Sequence, residues 1–153
     1  MASEVFGLLA SHPLLAGLPV GALVPSARLL TVEAGQLLMA EGDPADTIYL
    51  LQRGRVALEL HESGRGPLVI ETVGAGRIVG LSWIAPPFRW HFDARAVEPV
   101  TAIALDAAAV RAAAAADPAF GYALMVRIGA VMLERLHATR VRLLDIYGHG
   151  GTR

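Results

Sequence analysis

The sequence contains no cysteine and no lysine among its 153 residues. The lack of cysteine excludes disulfide bonds, thiolate metal sites and iron–sulfur clusters held by Cys. Arginine supplies all 13 Lys or Arg positions, and these stand against 14 acidic residues, which leaves a formal net charge of −1. A charge so close to zero gives no electrostatic footprint for binding nucleic acid.

Export signals and membrane-spanning runs are also missing. The N-terminus, Met1 to Glu4, lacks the basic segment that begins a secretory signal peptide. The most apolar stretch, near Leu124 to Leu133, is interrupted by Arg127 and is too short to span a bilayer. With 54% hydrophobic and 18% charged residues, the chain is expected to bury a core. We therefore expect a cytoplasmic domain that does not bind membranes.

Residues 29–105 consist of short apolar runs separated by glycine-centred turns. The runs are Leu29–Val32, Gln36–Met39, Ile48–Leu51, Val56–Leu60, Leu68–Val73, Ala94–Val97 and Thr101–Leu105. Short strands at this spacing predict a β-sandwich or a β-barrel. The preceding segment, Val5 to Leu30, carries leucine pairs interrupted by prolines, which predicts short helices packed against the strands.

After residue 105 the pattern becomes helical. Asp106 is predicted to cap an alanine-rich helix, and Asp117-Pro118 is predicted to start a second helix of about 30 residues. Apolar residues recur on the second helix at three- and four-residue steps, which predicts a dimerisation seam, although the same stripe could pack on its own barrel. The seam consists of Met125, Ile128, Met132, Leu136, Thr139, Leu143 and Ile146.

The predicted organisation has three parts. Residues 1–116 form a β-barrel with N-terminal helices, residues 117–147 form a long dimerisation helix, and residues 148–153 form a flexible tail.

Several short motifs follow one another in a characteristic order. They are Val32 to Gln36, Glu41-Gly42-Asp43-Pro44-Ala45-Asp46 followed by Ile48 to Leu51, Gly54 with Val56, and Val73 to Gly80. Together they resemble the Crp/Fnr-type cyclic-nucleotide-binding domain, over roughly residues 12–147. The resemblance implies a mainly β fold with α: a cyclic-nucleotide-binding-like β-barrel (double-stranded β-helix or jelly roll) with short N-terminal helices and a long C-terminal helix.

In that family a short helical cassette binds the ligand. Its backbone amides face the cyclic phosphate, a Glu binds the ribose, and an Arg pairs with the phosphate. Aligned on Gly80, this chain has Leu81 at the Glu position, Trp90 at the Arg position and His91 at the small hydroxyl position. We therefore expect weak or absent cAMP binding. The candidate ligand-binding residues of this segment are Gly80, Leu81, Ser82, Arg89, Trp90 and His91.

Alternatives stay open for this pocket. A one-residue slip could place Arg89 where the family has its Arg, and would allow an unusual mode of cyclic nucleotide binding together with Thr139. The aromatic residues around His91 could instead fill the cavity, or form a pocket for heme or an apolar ligand with His91 as donor or metal ligand. On the long helix Arg135 and Thr139 match the family segment that contacts the base, and they share a helical face.

The sequence predicts a non-enzymatic regulatory sensor or adaptor that acts as a homodimer. We expect it to respond either to a small molecule, which could be a cyclic nucleotide or another compound, or to a partner protein. The sequence identifies neither the ligand nor a cofactor. The scattered histidines exclude a cupin-like metal cluster, and no Ser–His–Asp or Gly-x-Ser-x-Gly signal is found. Only Gly148 to Arg153 follow the helix, so we expect no helix-turn-helix and no direct DNA binding.

Overall fold

Two antiparallel sheets form the centre of the molecule in the computed structural model, which describes residues 2–150. The first sheet has the order β1–β7–β3 and contains β1 (Arg28–Val32), β3 (Thr47–Arg53) and β7 (Val100–Asp106). The second has the order β2–β6–β4–β5 and contains β2 (Leu37–Met39), β4 (Val56–His61), β5 (Pro67–Val73) and β6 (Asp93–Ala96). The strands that the sequence predicted are thus present at nearly the predicted bounds.

The predicted β-rich, jelly-roll-like architecture is confirmed, and it takes the form of a two-layer sandwich. Across residues 2–150, no strand of one sheet pairs with a strand of the other. Gly35, between β1 and β2, and Gly54, between β3 and β4, lie at two of the four points where the chain changes sheet. Both glycines have positive φ, of 89° and 87°, which allows sharp corners between short strands. Each sheet therefore ends in edge strands, and the ladder does not close.

The helices flank the strands in sequence. Helix α1 (Ala2–Ser11) and a 3-10 helix (Gly21–Ser26) precede β1, and α2 (Ala107–Ala116) and α3 (Pro118–Gly150) follow β7. Both predicted helix starts are confirmed. The Asp106 side chain accepts a hydrogen bond from the Ala108 N–H at 3.1 Å, and the Asp117 side chain accepts one from the Phe120 N–H at 3.3 Å. No helix in residues 2–150 is long and apolar enough to cross a membrane.

Helix α3 is longer than predicted. It continues through Gly148, where we placed the start of a tail, and reaches Gly150. The last residues of that predicted tail, 151–153, lie outside the described residues. Near its start α3 lies close to α2, since a Cβ on Gly121 would be 2.7 Å from the Ala114 carbonyl oxygen. Glycine at this position therefore permits the close approach of the two helices.

The two halves of α3 have different surroundings. Phe120, Leu124 and Ile128 are buried in the core of the sandwich, and Ile128 is only 1% exposed. The prediction placed Ile128 in the dimerisation seam, but its side chain faces the chain's own core and is not available to a partner. From Met132 onward the large apolar side chains of α3 are exposed, namely Met132, Leu133, Leu136, Val141, Leu143, Leu144, Ile146 and Tyr147.

The corner at Gly54 provides a sharp test of this packing. A Cβ there would be 2.4 Å from the Pro99 carbonyl oxygen and 2.9 Å from Cγ2 of Val100. We expect Gly54→Ala to lower the free energy of unfolding by about 2–4 kcal/mol, because the clash adds to the cost of positive φ. Gly42→Ala is the matched control, since Gly42 has a φ of 86° with nothing within 4 Å. Equal losses in urea unfolding would contradict the role of the close contact.

Candidate ligand pocket

The segment between Gly80 and β6 is irregular. The family resemblance implied a short helix here, but the segment forms turns, in which the Ile84 N–H donates to the Leu81 carbonyl and the Phe88 N–H to the Ala85 carbonyl, both at 3.2 Å. It also contains Pro86 and Pro87, joined by a cis peptide bond. Proline has no N–H, so this segment has fewer backbone donors than a helical turn of the same length.

Backbone pairing with the loop that precedes β3 fixes the orientation of the following residues. The Trp90 N–H donates to the Asp43 carbonyl at 3.0 Å, and the Gly42 N–H donates to the Trp90 carbonyl at 2.8 Å. Side chains alternate along an extended segment, so Trp90 and Arg89 point to opposite sides. Trp90 points into the sandwich, and Arg89 is exposed, with its Nη1 donating to the Gly42 carbonyl at 3.2 Å.

Trp90 is part of the hydrophobic core. It is 4% exposed, and its ring centroid lies 6.5 Å from those of Tyr49 and Phe92. A Cβ on Gly80 would be 2.7 Å from the indole ring, so the indole packs directly on the backbone there. Burial in these surroundings raises the pKa of Tyr49. The indole therefore occupies interior space at the position where the family resemblance implied an arginine.

Arg111 on α2 contacts the middle of the segment. It was not among the site residues predicted from the sequence. Its guanidinium carbon lies 4.4 Å from the centre of the Phe88 ring, and its Nη1 donates to the Trp83 carbonyl at 2.6 Å. Phe88 has a φ of 53°, uncommon for a bulky residue, and its carbonyl accepts the Ala45 N–H at 2.7 Å. The sequence carried one sign that Arg111 could have a specific contact, which is that it is the one charged residue in the run AAAVRAAAAA.

A groove of about 340 Å³ lies between this segment and α3. Its walls are Leu81, Ser82, Ala85, Pro86, Pro87, Phe88, Arg89, His91, Phe92 and Arg135. The structure thus brings together five of the predicted ligand-binding residues, which are Leu81, Ser82, Arg89, His91 and Arg135. Gly80 and Trp90 do not line the groove. Thr139 lies outside it as well, with its hydroxyl donating to the Arg135 carbonyl of the same helix at 2.9 Å.

Arg135 connects α3 to both the start of the segment and the second sheet. Its guanidinium donates to the carbonyls of Ile78 and Val79, and its Nε lies 3.5 Å from Oε1 of Glu71 on β5. Burial lowers the pKa of Arg135, and the Glu71 carboxylate opposes this shift. Because the ordinary value lies far above neutral pH, the side chain stays charged.

Asp93 anchors the end of the segment, where β6 begins. Its carboxylate accepts the Glu41 N–H at 2.7 Å and lies 2.7 Å from Nε2 of His61. The Glu41 N–H is the main cause of a lowered pKa of Asp93, and His61 and Arg95 lower it further. The neighbouring Arg95 is half-exposed and pairs with Glu59 at 2.9 Å. The segment is therefore fixed at both ends by polar contacts.

His91 lies exposed at the rim of the groove. Within the described part of the chain, no group of three or more His, Cys, Asp and Glu side chains is placed to hold a metal ion. Among the residues that line the groove, His91 is the one His, Cys, Asp or Glu.

Comparisons with known proteins agree with this architecture. A family model described as cyclic nucleotide-binding domain matches residues 29–117. A solved putative cyclic nucleotide-binding protein from Geobacter metallireducens GS-15 is 26% identical, with a TM-score of 0.74 over 86% of this chain and 97% of that chain. A cyclic nucleotide-binding domain from Methylobacillus flagellatus KT is 22% identical, with a TM-score of 0.79 over 94% of this chain and 85% of that chain.

A third similar structure is the sensor domain of the transcriptional regulator DNR from Pseudomonas aeruginosa. It is 18% identical, with a TM-score of 0.73 over 89% of this chain and 93% of that chain. A search of curated protein sequences gives no match.

The buried indole gives a direct test of the core assignment. We expect Trp90→Ala to lower the free energy of unfolding by about 3–5 kcal/mol, because it leaves a large cavity between Tyr49 and Phe92. His91→Ala is the control in the adjacent exposed position and should change stability by less than about 0.5 kcal/mol. Both are measured by urea unfolding. A loss below about 1 kcal/mol for Trp90→Ala would show that the indole is not buried as described.

Proposed function

This chain belongs to the cyclic nucleotide-binding domain family, and we propose that it is a non-enzymatic regulatory sensor whose pocket does not bind cAMP in the family's usual way. The family model confirms the cyclic-nucleotide-binding domain that the sequence resembles, and a Crp/Fnr-like regulatory role is part of the proposal.

The observation that carries the proposal is the packing of Trp90 on Gly80. The indole fills interior space at the position where the family resemblance implied a phosphate-binding Arg. Leu81 lies at the groove where the resemblance implied a Glu for the ribose. A nucleotide placed here would leave its phosphate without that bidentate partner and a ribose hydroxyl against an apolar side chain.

Part of the segment's backbone cannot donate to a phosphate. Pro86 and Pro87 have no N–H, and the N–H groups of Ile84 and Phe88 already donate within turns. A phosphate site at a helix N-terminus depends on several unpaired N–H groups that point at one oxygen cluster. The absence of the cassette helix thus supports the same conclusion as the replaced side chains.

A second candidate is cyclic nucleotide binding through Arg89. It is favoured by one observation, which is that Arg89 lies at the rim of the groove and has no carboxylate partner within residues 2–150. Thr139, proposed to assist, lies outside the groove and bonds to its own helix. This candidate therefore depends on Arg89 alone.

Calorimetry with cAMP and cGMP separates the two candidates. Each lost contact costs about 1.5–3 kcal/mol, so together they weaken binding by about two to four orders of magnitude. A micromolar site would become roughly millimolar. A dissociation constant below about 10 μM for either nucleotide would contradict the main proposal. If Arg89→Ala then abolished that binding while Trp90→Ala did not, the second candidate would hold.

We further propose that the chain forms a homodimer through the second half of α3. One side of this half contacts its own domain. Arg135 pairs with Glu71, and Glu134 pairs with Arg77 at 2.9 Å. The Arg142 guanidinium donates to the Ile70 carbonyl. The apolar side chains from Met132 to Tyr147 are nevertheless exposed. A monomer rarely exposes so long an apolar stripe, and a second copy of the same helix would cover it by knobs-into-holes packing.

Light scattering at micromolar concentration is expected to give about twice the monomer mass of 16.1 kDa. Met132→Glu or Leu136→Glu should split the dimer, because an unpaired charge in the seam costs several kcal/mol. His137→Glu introduces the same charge at an exposed position outside the predicted seam and should leave the dimer intact. A wild-type chain that runs as a monomer would overturn the assembly proposal.

A further inference from the structure

We propose that the groove between residues 80–92 and α3 binds a small organic monocarboxylate with an apolar body. This inference rests on the proposed function, because it names a ligand class for the same pocket. It is argued from four properties of the groove, which are its walls, its charge, its size and the donors that it offers.

The walls are mostly apolar. Six of the residues that line the groove have apolar side chains, namely Leu81, Ala85, Pro86, Pro87, Phe88 and Phe92. The space behind them is closed by the buried indole of Trp90, whose ring lies beside Phe92. A ligand in this groove therefore gains from the burial of hydrocarbon, as ligands of concave apolar pockets generally do.

The polar residues of the groove all favour an anion. They are Ser82, Arg89, His91 and Arg135, and no Asp or Glu is among the residues that line it. Arg135 already faces the Glu71 carboxylate at 3.5 Å. A groove with cationic donors and without an acidic wall attracts a negatively charged group and repels a cation.

The donors fit a carboxylate better than a phosphate. The fork of Arg135 already donates to the Ile78 and Val79 carbonyls, which leaves Arg89 as the guanidinium open to a ligand. Arg89 uses Nη1 for the Gly42 carbonyl, while in residues 2–150 its Nε and Nη2 have no hydrogen-bond partner. Two parallel N–H groups satisfy one carboxylate, whereas a phosphate dianion needs further donors besides this fork.

The groove is small and held in shape. Its volume of about 340 Å³ lies near the lower end of the roughly 300–1,000 Å³ of small-molecule pockets. Arg111 stacks on Phe88 at 4.4 Å from behind the wall, and Asp93 fixes the end of the segment through the Glu41 N–H. Because these walls are already fixed, binding does not have to order them. This favours a compact ligand that matches the existing groove.

Calorimetry tests this with 3-phenylpropionate and octanoate, and with 3-phenylpropionamide and octanamide as uncharged counterparts. We expect both carboxylates to bind with dissociation constants below about 1 mM, and the amides at least about tenfold more weakly. Arg89→Gln should weaken carboxylate binding by about 10- to 100-fold, because it removes the charge and the fork. Arg55→Gln is the control, since Arg55 is exposed and pairs with Glu98 away from the groove; it should leave binding unchanged.

Three outcomes would overturn the inference: no binding of either carboxylate, equal binding of acids and amides, or no effect of Arg89→Gln. Because Arg89 is exposed, loss of folding should not obscure the comparison, and thermal unfolding of each variant checks this. The outcomes are separable from the proposed function. Tight cAMP binding would refute the proposed function, whereas absence of carboxylate binding with absence of cAMP binding refutes the present inference alone.

Discussion

The contact between the Trp90 indole and the backbone of Gly80 determines the rest of the pocket. A Cβ on Gly80 would lie 2.7 Å from the ring, so only glycine permits the indole to occupy this place. With the indole inside, alternation along the extended segment directs Arg89 outward. The polar groups that can meet a ligand therefore lie at a rim beside α3, where Arg89 and His91 are exposed, and not inside the sandwich.

The fold and the ligand chemistry of this chain are set by different residues. Glycine corners, alternating strands and the Asp106 and Asp117 caps specify the sandwich and helices, and none of them faces the groove. The side chains of a short segment, residues 80–92, decide what can bind. Because of this separation, a chain can keep the family's architecture while substitutions in one segment change its pocket, since function depends on the site more than on the fold.

Local signals in the sequence predicted the elements well, and long-range contacts account for what they did not predict. Strand bounds follow from turns and alternation, but the choice between barrel and sandwich depends on which distant strands pair. The periodicity of α3 identified an apolar stripe without saying what covers each part of it, so Ile128 was assigned to a partner although it lies in the core. Arg111 was missed because its partner, Phe88, is distant in sequence.

Helix α3 connects the parts that a sensor must couple. Its first half packs Phe120, Leu124 and Ile128 into the hydrophobic core, Arg135 forms part of the groove, and its second half exposes the apolar stripe. A ligand at the rim therefore touches the same rigid element that a second copy would contact. Such contact produces regulation only if the ligand binds two arrangements of the helix with different affinity. Arg135 lines the groove and also binds Glu71 and the Ile78 and Val79 carbonyls, so a ligand that favours one arrangement of these contacts would supply that difference.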